Sequence, residues 1–403
     1  MTELLAGARA LDLGRARNAV VVAFAMNGLS FASWLSRAPA VRDALSLSTA
    51  QLGLLLLCLS GGACASLPLS GAAVHRLGPA RVVLLGSIAV GIGLLALAAG
   101  VGTGTVWPAA VGLVLAGVGN SNWDVAMNVA GADVERRRAR TLMPQLHAAF
   151  SLGTVAGGGA GAACAALGVP VAAQVLVAAA LAPLVVSMAV RAFPPAADHG
   201  RADDGTRRSG NLARTWLEPR TLLIGVVTLA FAFTEGSAND WLAVALVDGH
   251  HTGEVLGALG FGAFVTAMTL GRLSGGVLLE RFGRVHMLRA TSVLAVAGLA
   301  LVTLAGSISW VVVGALLWGL GASLGFPVGM SAAADDPARA AARVGVVSSI
   351  AYTAFLAGPP VIGLLAQHTG ILHALLVVLG VLVVGLLGIG AVRPLPAADQ
   401  SDD

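Results

Sequence analysis

The chain has 403 residues, of which 57% are apolar and only 11% charged, and its formal net charge is +4. An ordinary soluble domain carries about 25% charged residues, and a soluble fold of this length has no interior large enough for so much apolar side chain. All 24 basic residues are arginine, with no basic stripe of interleaved aromatics, so the composition excludes a nucleic-acid partner.

Met1 to Arg17 is polar and basic, and the apolar run after it lacks a small-residue cleavage pattern. It reads as a first span rather than a removable signal. About 20 mostly apolar residues cross a bilayer. Twelve stretches qualify: 18–36, 49–74, 81–102, 106–132, 143–166, 169–192, 220–247, 253–279, 286–306, 308–332, 343–366 and 371–392. Pro68, Pro108, Pro183, Pro327, Pro359 and Pro360 fall inside them, where neighbouring helices can satisfy the freed backbone groups. The 53 glycines suit helices that pack closely in lipid. Cys58, Cys64 and Cys164 lie in apolar segments without metal-ligand spacing and read as small buried hydrophobes, so neither metal nor cofactor is expected.

The arginines alternate with the spans. Arg9, Arg15 and Arg17, Arg76 and Arg81, Arg136 to Arg140, Arg191 to Arg220, Arg281 to Arg289, Arg339 and Arg343, and Arg393 all fall on one side of a twelve-span chain. The other side has only Arg37 and Arg42. The positive-inside rule then puts both termini in the cytoplasm. Residues 1–192 form a first six-helix bundle, 193–219 a polar cytoplasmic linker, 220–393 a second bundle and 394–403 a disordered tail.

The two bundles repeat one another. Gly71-Ala-Ala-Val-His75-Arg76-Leu-Gly78 recurs 205 residues later as Gly276-Val-Leu-Leu-Glu280-Arg281-Phe-Gly283-Arg284. Phe24 and Trp34 answer to Phe231 and Trp241, Ala149-Phe150 to Ala354-Phe355, and Gly112 to Gly314, with offsets between 202 and 207. A parallel repeat over most of the chain is the architecture of carriers that rock one half against the other. The hairpins suit a cytoplasmic latch in which arginine and acid bind across to a neighbouring span. The first copy has His75 in place of the acid Glu280, which makes its latch weaker or pH-sensitive.

Ionisable groups within the spans are few, and each is costly in hydrocarbon. In span 4, Asn120, Asp124 and Asn128 are spaced i, i+4, i+8 and form one polar stripe that should face the interior or a wet cavity. An amide ladder joining helices is the alternative. Asp124 is harder to explain that way, since a carboxylate at low dielectric can take up and release a proton near neutral pH. Asp133 and Glu135 adjoin four arginines and read as a solvated ion network.

In span 7, Glu235 and Asn239 share a face, and Asp240 is one step round. Glu235 reads as a coupling or solute-contacting group; Asp240 is equally readable as structural. Arg272 in span 8 needs a counter-ion or an anionic ligand, with Asp124, Glu235 and Glu280 as candidates, unless it snorkels to the interface. His147 can relay protons or serve as a hydrogen-bonded structural residue. Trp123, Trp241 and Tyr352 can stack on a sugar-like ring or simply pack.

These residues resemble the major facilitator superfamily over nearly the whole chain, through the doubled hairpin above all. The closer likeness is to its fucose-permease-like and MosC-like branch. It lies in Arg37-Ala-Pro-Ala-Val-Arg42 with Gln51-Leu-Gly53, Asp124-Val-Ala-Met-Asn128, His147 to Gly153, Glu235-Gly236 with Asp240-Trp241, and Tyr352 with Gly358-Pro359-Pro360. The resemblance implies an all-α integral membrane fold of twelve transmembrane helices in two pseudo-symmetric six-helix bundles around a central cavity. It also implies that the span 4 acid, Asp124 here, is tied to proton movement. Two departures stand against drug antiport: Val111 to Ala116 lacks the arginine of proton-driven drug exporters, and Gly157 to Gly161 lacks their proline.

The expectation is a monomeric secondary transporter in a bacterial-type inner membrane, moving a small polar organic solute, sugar-like or polyol-like, with protons. Asp124, Glu235 and His147 would carry the coupling. Asn120, Asn128, Asn239, Asp240, Arg272, Trp123, Trp241 and Tyr352 would contact the solute. The rivals are a proton-antiport exporter of drugs or secondary metabolites and a non-transporting sensor. An enzyme would need a convergent nucleophile–base or metal set, which the sequence does not offer.

Overall fold

The computed structural model describes residues 2–138, 142–193, 214–336 and 339–394. Most of the linker and the tail anticipated from sequence lie outside the described residues. Among the described residues the structure is helical and has no strand.

The first half contains α1 (Thr2–Leu35), the short α2 (Ala38–Ala44), α3 (Thr49–Leu77), α4 (Pro79–Thr103), α5 (Val106–Arg138), α6 (Met143–Ala166) and α7 (Val171–Ala189). The second contains α8 (Pro219–Val244), α9 (Glu254–Phe282), α10 (Arg284–Leu304), α11 (Ile308–Ala322), α12 (Gly325–Ala333), α13 (Ala340–Thr369), α14 (Ile371–Ala374) and α15 (Leu376–Gly388). Eleven helical segments are long and apolar enough to cross a membrane. The twelfth crossing is α5, which has 33 residues and carries Asn120, Asn122, Asp124 and Asn128. These side chains lower its hydropathy, so it fails as a greasy rod while succeeding as a helix. The tenth span is broken into α11 and α12 at Ser323 and Leu324, where Gly325 lies hard against the ring of Phe231.

Both copies of the repeated hairpin make the same turn. Gly78 (φ 81°, ψ 154°) separates α3 from α4, and Gly283 (φ 76°, ψ 158°) separates α9 from α10. A side chain at either position would be strained, so glycine fixes the corner.

Within the halves, α4 packs on α5 and α7, α1 on α6, and α3 on α5; α10 packs on α11, α9 on α11, and α8 on α13 and α15. Between the halves, α3 meets α13 and α6 meets α9. The repeat carries span 2 onto span 8 and span 5 onto span 11, so these two contacts exchange under the pseudo-twofold. Close packing rests on small residues: Gly112 backs onto Gly93, and Gly119 onto Gly86.

The rim of α5 differs in part from the expected ion network. Asp133 does pair with Arg136 at 3.2 Å and Arg137 at 2.8 Å. Glu135 instead accepts the backbone N–H groups of Leu142 and Met143 at 2.5 and 2.8 Å, satisfying free donors at the start of α6.

Candidate functional site

α5 buries two faces and leaves one. Gly119 and Trp123 press on α4, and Gly117 presses on α3. Asp124, one step round the helix from Trp123, is exposed. Its carboxylate accepts one hydrogen bond, from Asn128 Nδ2 at 3.3 Å; the same nitrogen donates to the Asp124 carbonyl at 2.9 Å. Tyr352 of α13 lies within electrostatic reach of Asp124 and of Cys64 on α3, so Asp124 looks toward the opposite half rather than toward lipid. Asn120, on the same stripe, is half-buried.

The second half supplies a cation to the same central space. Arg272 of α9 donates through Nη2 to both carboxylate oxygens of Glu235 on α8, at 2.8 and 2.7 Å. Of the three acids the sequence offered as its counter-ion, the fold selects Glu235. The Arg272 side chain is 28% exposed and that of Glu235 16%, so the pair lines an opening instead of sitting in dry packing. His147 of α6 is exposed and within electrostatic reach of Arg272, with its ring edge-on to Phe24 at 5.4 Å. Asp124 with Tyr352, and His147 with the Glu235–Arg272 pair, are thus two groupings that each join side chains of one half to side chains of the other.

Two expectations are corrected. Trp123 and Trp241 are both 0% exposed, and neither can stack on a solute here. Trp123 is packed where Gly86 leaves it room, and Trp241 reaches Gly363 in the seam between α3 and α13. Tyr352 remains half-buried, tilted 44° against Phe355 at 6.2 Å. Asn239 and Asp240 are half-buried, and neither makes a side-chain hydrogen bond among the described residues.

One end of the space is shut. On the face opposite the termini, Arg37 donates to Glu254 Oε2 at 2.9 Å and to Gln174 Oε1 at 3.1 Å, while Gln174 Nε2 donates to the Ser33 carbonyl at 2.6 Å. Arg42 binds Asp248. The Ala50 N–H donates to Gln367 Oε1 at 3.3 Å, Gly53 abuts Pro359 and Gly363, and Gly158 abuts Phe261. Each of these closing contacts, the Gln174 bonds aside, joins one half to the other. The sequence showed Arg37 and Arg42 only as the sparse arginines of their side. The acids Glu254 and Asp248, in and beside the facing loop, were the signal that could have paired them.

The face bearing the termini is built otherwise. Every ion pair there between described residues stays inside one half. Asp335 holds Arg284 at 2.7 Å and Arg220 at 3.0 Å, and Glu218 binds the buried Arg343. In the first hairpin Gly71 and Arg76 are exposed; in the second so are Gly276, Glu280 and Arg281, and Arg281 lies over the Phe282 ring at 5.3 Å. Among the described residues, Arg284 rather than Arg281 is the second hairpin's arginine that pairs with an acid, and no ion pair from either hairpin joins the two halves.

Comparison with known proteins agrees with this architecture. The profile described as "Major Facilitator Superfamily" matches residues 20–274 and 241–402. The chain is 33% identical to "Uncharacterized transporter y4wD" of Sinorhizobium fredii over 86% of its own length and 90% of that protein's. It is 29% identical to "Membrane protein MosC" of Rhizobium meliloti, covering 90% of this chain and 86% of that one. Its fold matches the nucleoside transporter NupG with a TM-score of 0.75 at 14% identity, over 94% of this chain and 98% of the other. It matches FucP in the outward conformation with a TM-score of 0.64 at 14% identity, over 94% and 99%. The chain belongs to the Major Facilitator Superfamily, and it is a multi-pass membrane transporter.

Proposed function

We propose that the protein is a proton-coupled carrier of a small polar organic solute, with sugar-like or polyol-like compounds favoured, working by alternating access. The observation that carries this reading is the central space itself. A membrane-embedded carboxylate, Asp124, lies at the junction of the halves with no cationic partner among the described residues, and the Glu235–Arg272 pair belongs to the other half. A carboxylate so placed is suited to exchanging a proton, and its protonation alters the charge balance between the two halves. Asn120, Asn128 and Tyr352 add hydrogen-bonding groups suited to solute hydroxyls. His147 stands where it can pass protons between the terminal face and the pair.

The ion pairs of Arg37 and Arg42 favour the state closed opposite the termini. By the arginine distribution the open side is cytoplasmic, so this is the inward-facing state of an inner-membrane carrier. The test is solute movement in proteoliposomes under an imposed pH gradient. Asp124→Asn is expected to abolish gradient-driven accumulation while leaving downhill exchange. Full gradient-driven transport by Asp124→Asn refutes the proton role of this residue.

A further inference from the structure

The Glu235–Arg272 contact uses half of what an arginine offers. A guanidinium and a carboxylate joined at full strength share two parallel hydrogen bonds through two nitrogens. Here both Glu235 oxygens fall on Nη2 alone, and Nε reaches only the Ser323 carbonyl, at 3.4 Å. Nη1 has no hydrogen-bond partner among the described residues and is not among the buried unpartnered atoms. An open nitrogen on a fixed guanidinium, facing the inter-half space, is an unfilled anion position.

We propose that Arg272 docks a carboxylate carried by the solute, a hydroxylated monocarboxylic acid of sugar-acid type, and that proton uptake by Glu235 frees Nη2 to complete the two-nitrogen grip. This rests on the reading of the central space as the solute route. With Glu235 ionised, the incoming carboxylate meets a guanidinium already neutralised and a like charge beside it. A proton taken from solvent makes Glu235 neutral. Arg272 then lacks a counter-charge in a half-buried setting, which is costly, and the solute carboxylate supplies it. One proton and one anion enter together, so the charge of the site is unchanged. Binding of each strengthens binding of the other by the same factor.

The surroundings favour a monoanion. His147 on α6 is the other basic group facing Arg272. Among the described residues, further titratable groups on the helices around this junction are Asp124 on α5, Tyr352 on α13, Cys64 on α3 and Asp240 on α8. A phosphate dianion would need a second fixed cation, whereas one guanidinium matches one carboxylate. The amides of Asn120 and Asn128 suit the hydroxyl-bearing remainder.

The experiment uses the full-length protein in nanodiscs with D-gluconate, D-glucuronate and D-galacturonate, against D-glucose, D-galactose and D-sorbitol. Binding is read by titration calorimetry at about pH 5.5 and about pH 7.5, where these acids stay ionised. At least one acid should bind, and bind tighter at the lower pH, up to the limit of about a hundredfold that one coupled proton sets over two pH units, and its neutral counterpart should not. Glu235→Gln should bind that acid equally at both pH values. Arg272→Gln should lose binding and Arg272→Lys should weaken it, with each variant first confirmed as folded by its elution profile and melting temperature. The proposal is overturned if no acid binds wild type or Glu235→Gln, or if Glu235→Gln keeps the pH dependence. Saturable binding and gradient-driven movement of a neutral polyol alone would overturn it too, while leaving the carrier reading standing. An absence of gradient-driven movement of any solute would fail that broader reading instead.

Discussion

Arg37 and Glu254, 217 residues apart, form a 2.8 Å ion pair that fastens the first half of the protein to the second on the face opposite the termini. The guanidinium is 6% exposed and the carboxylate 41%. Opening that face must break this pair and the one between Arg42 and Asp248, and the arginines lose more than the acids, because only the acids are already hydrated. Removing Arg37 therefore weakens the closed state more than the resting fold.

Arg37→Ala should shift the equilibrium toward opening opposite the termini by about 1–2 kcal/mol, a change of roughly five- to thirty-fold in the ratio of states. Distances between spin labels placed across that face would lengthen in the variant. Glu254→Ala should act in the same direction and add little in the double variant, since the two residues share one interaction. Independent, additive shifts would show that the pair is not a gate.

The glycine contacts make a second prediction, and it tests the pseudo-symmetry directly. Gly112 faces Gly93 across α4 and α5; Gly314 faces Gly298 across α10 and α11. A Cβ at Gly112 would press on the Gly93 carbonyl oxygen, and one at Gly314 would stand 2.7 Å from that of Gly298. Neither backbone can yield without parting two helices. Gly112→Val and Gly314→Val should each cost about 2 kcal/mol or more, seen as a lower melting temperature and a broadened elution profile. Gly276→Ala, with nothing within 4 Å of the new methyl, should stay within about 0.5 kcal/mol of wild type.

Much of this was legible in the chain. Span number follows from apolar run length and arginine alternation, because both reflect the bilayer and not tertiary detail. Gly78 and Gly283 announce their shared turn, since the same backbone corner demands the same residue. Asp124 stands out because an acid in a span is costly wherever it points. Side-chain direction was less accessible. Trp123 and Asp124 are neighbours in sequence yet project about 100° apart on a helix, so the acid faces the central space while the indole is walled in by α4. The Arg37–Glu254 pair depends on docking two bundles, and no local period records that. Sequence narrowed the partner of Arg272 to three acids, and only the packing of α8 against α9 chose Glu235 among them.

A third prediction concerns Asp335, whose side chain is 12% exposed and shared by Arg220 and Arg284. Arg220 also donates to the Ala391 and Arg393 carbonyls, at 3.1 and 2.9 Å, so this acid ties the start of α8, the hairpin after α9 and the end of the last span into one knot. Asp335→Asn leaves two guanidinium groups, each 23% exposed, without their shared charge. The expected loss is about 2–3 kcal/mol, below the range for fully buried pairs because both arginines retain some water. Thermal unfolding in detergent measures it. Asp335→Glu should recover part of the loss, since it restores the charge at altered reach.

The fourth prediction is a pH dependence at the start of the second half. Glu218 lies just before α8, and its carboxyl is held below its ordinary value of 4.5, first by the hydrogen bond from Arg343 and further by that from Thr221 and by the nearby charges of Arg343 and Arg339. A carboxyl whose folded value is lowered contributes stability that is fully present above its unfolded range and is lost as pH falls through the folded value. Stability from this cluster should therefore be constant at neutral pH and fall away below 4.5. Arg343 is 4% exposed and keeps a longer contact with Asp336, at 3.6 Å, when Glu218 is protonated, so the loss should modestly exceed that of a surface pair, at about 1–2 kcal/mol. In Glu218→Gln the melting temperature should already be lower at neutral pH, and its decline on acidification should be shallower than in wild type. Parallel acid profiles for the two proteins would place the acid-sensitive group elsewhere.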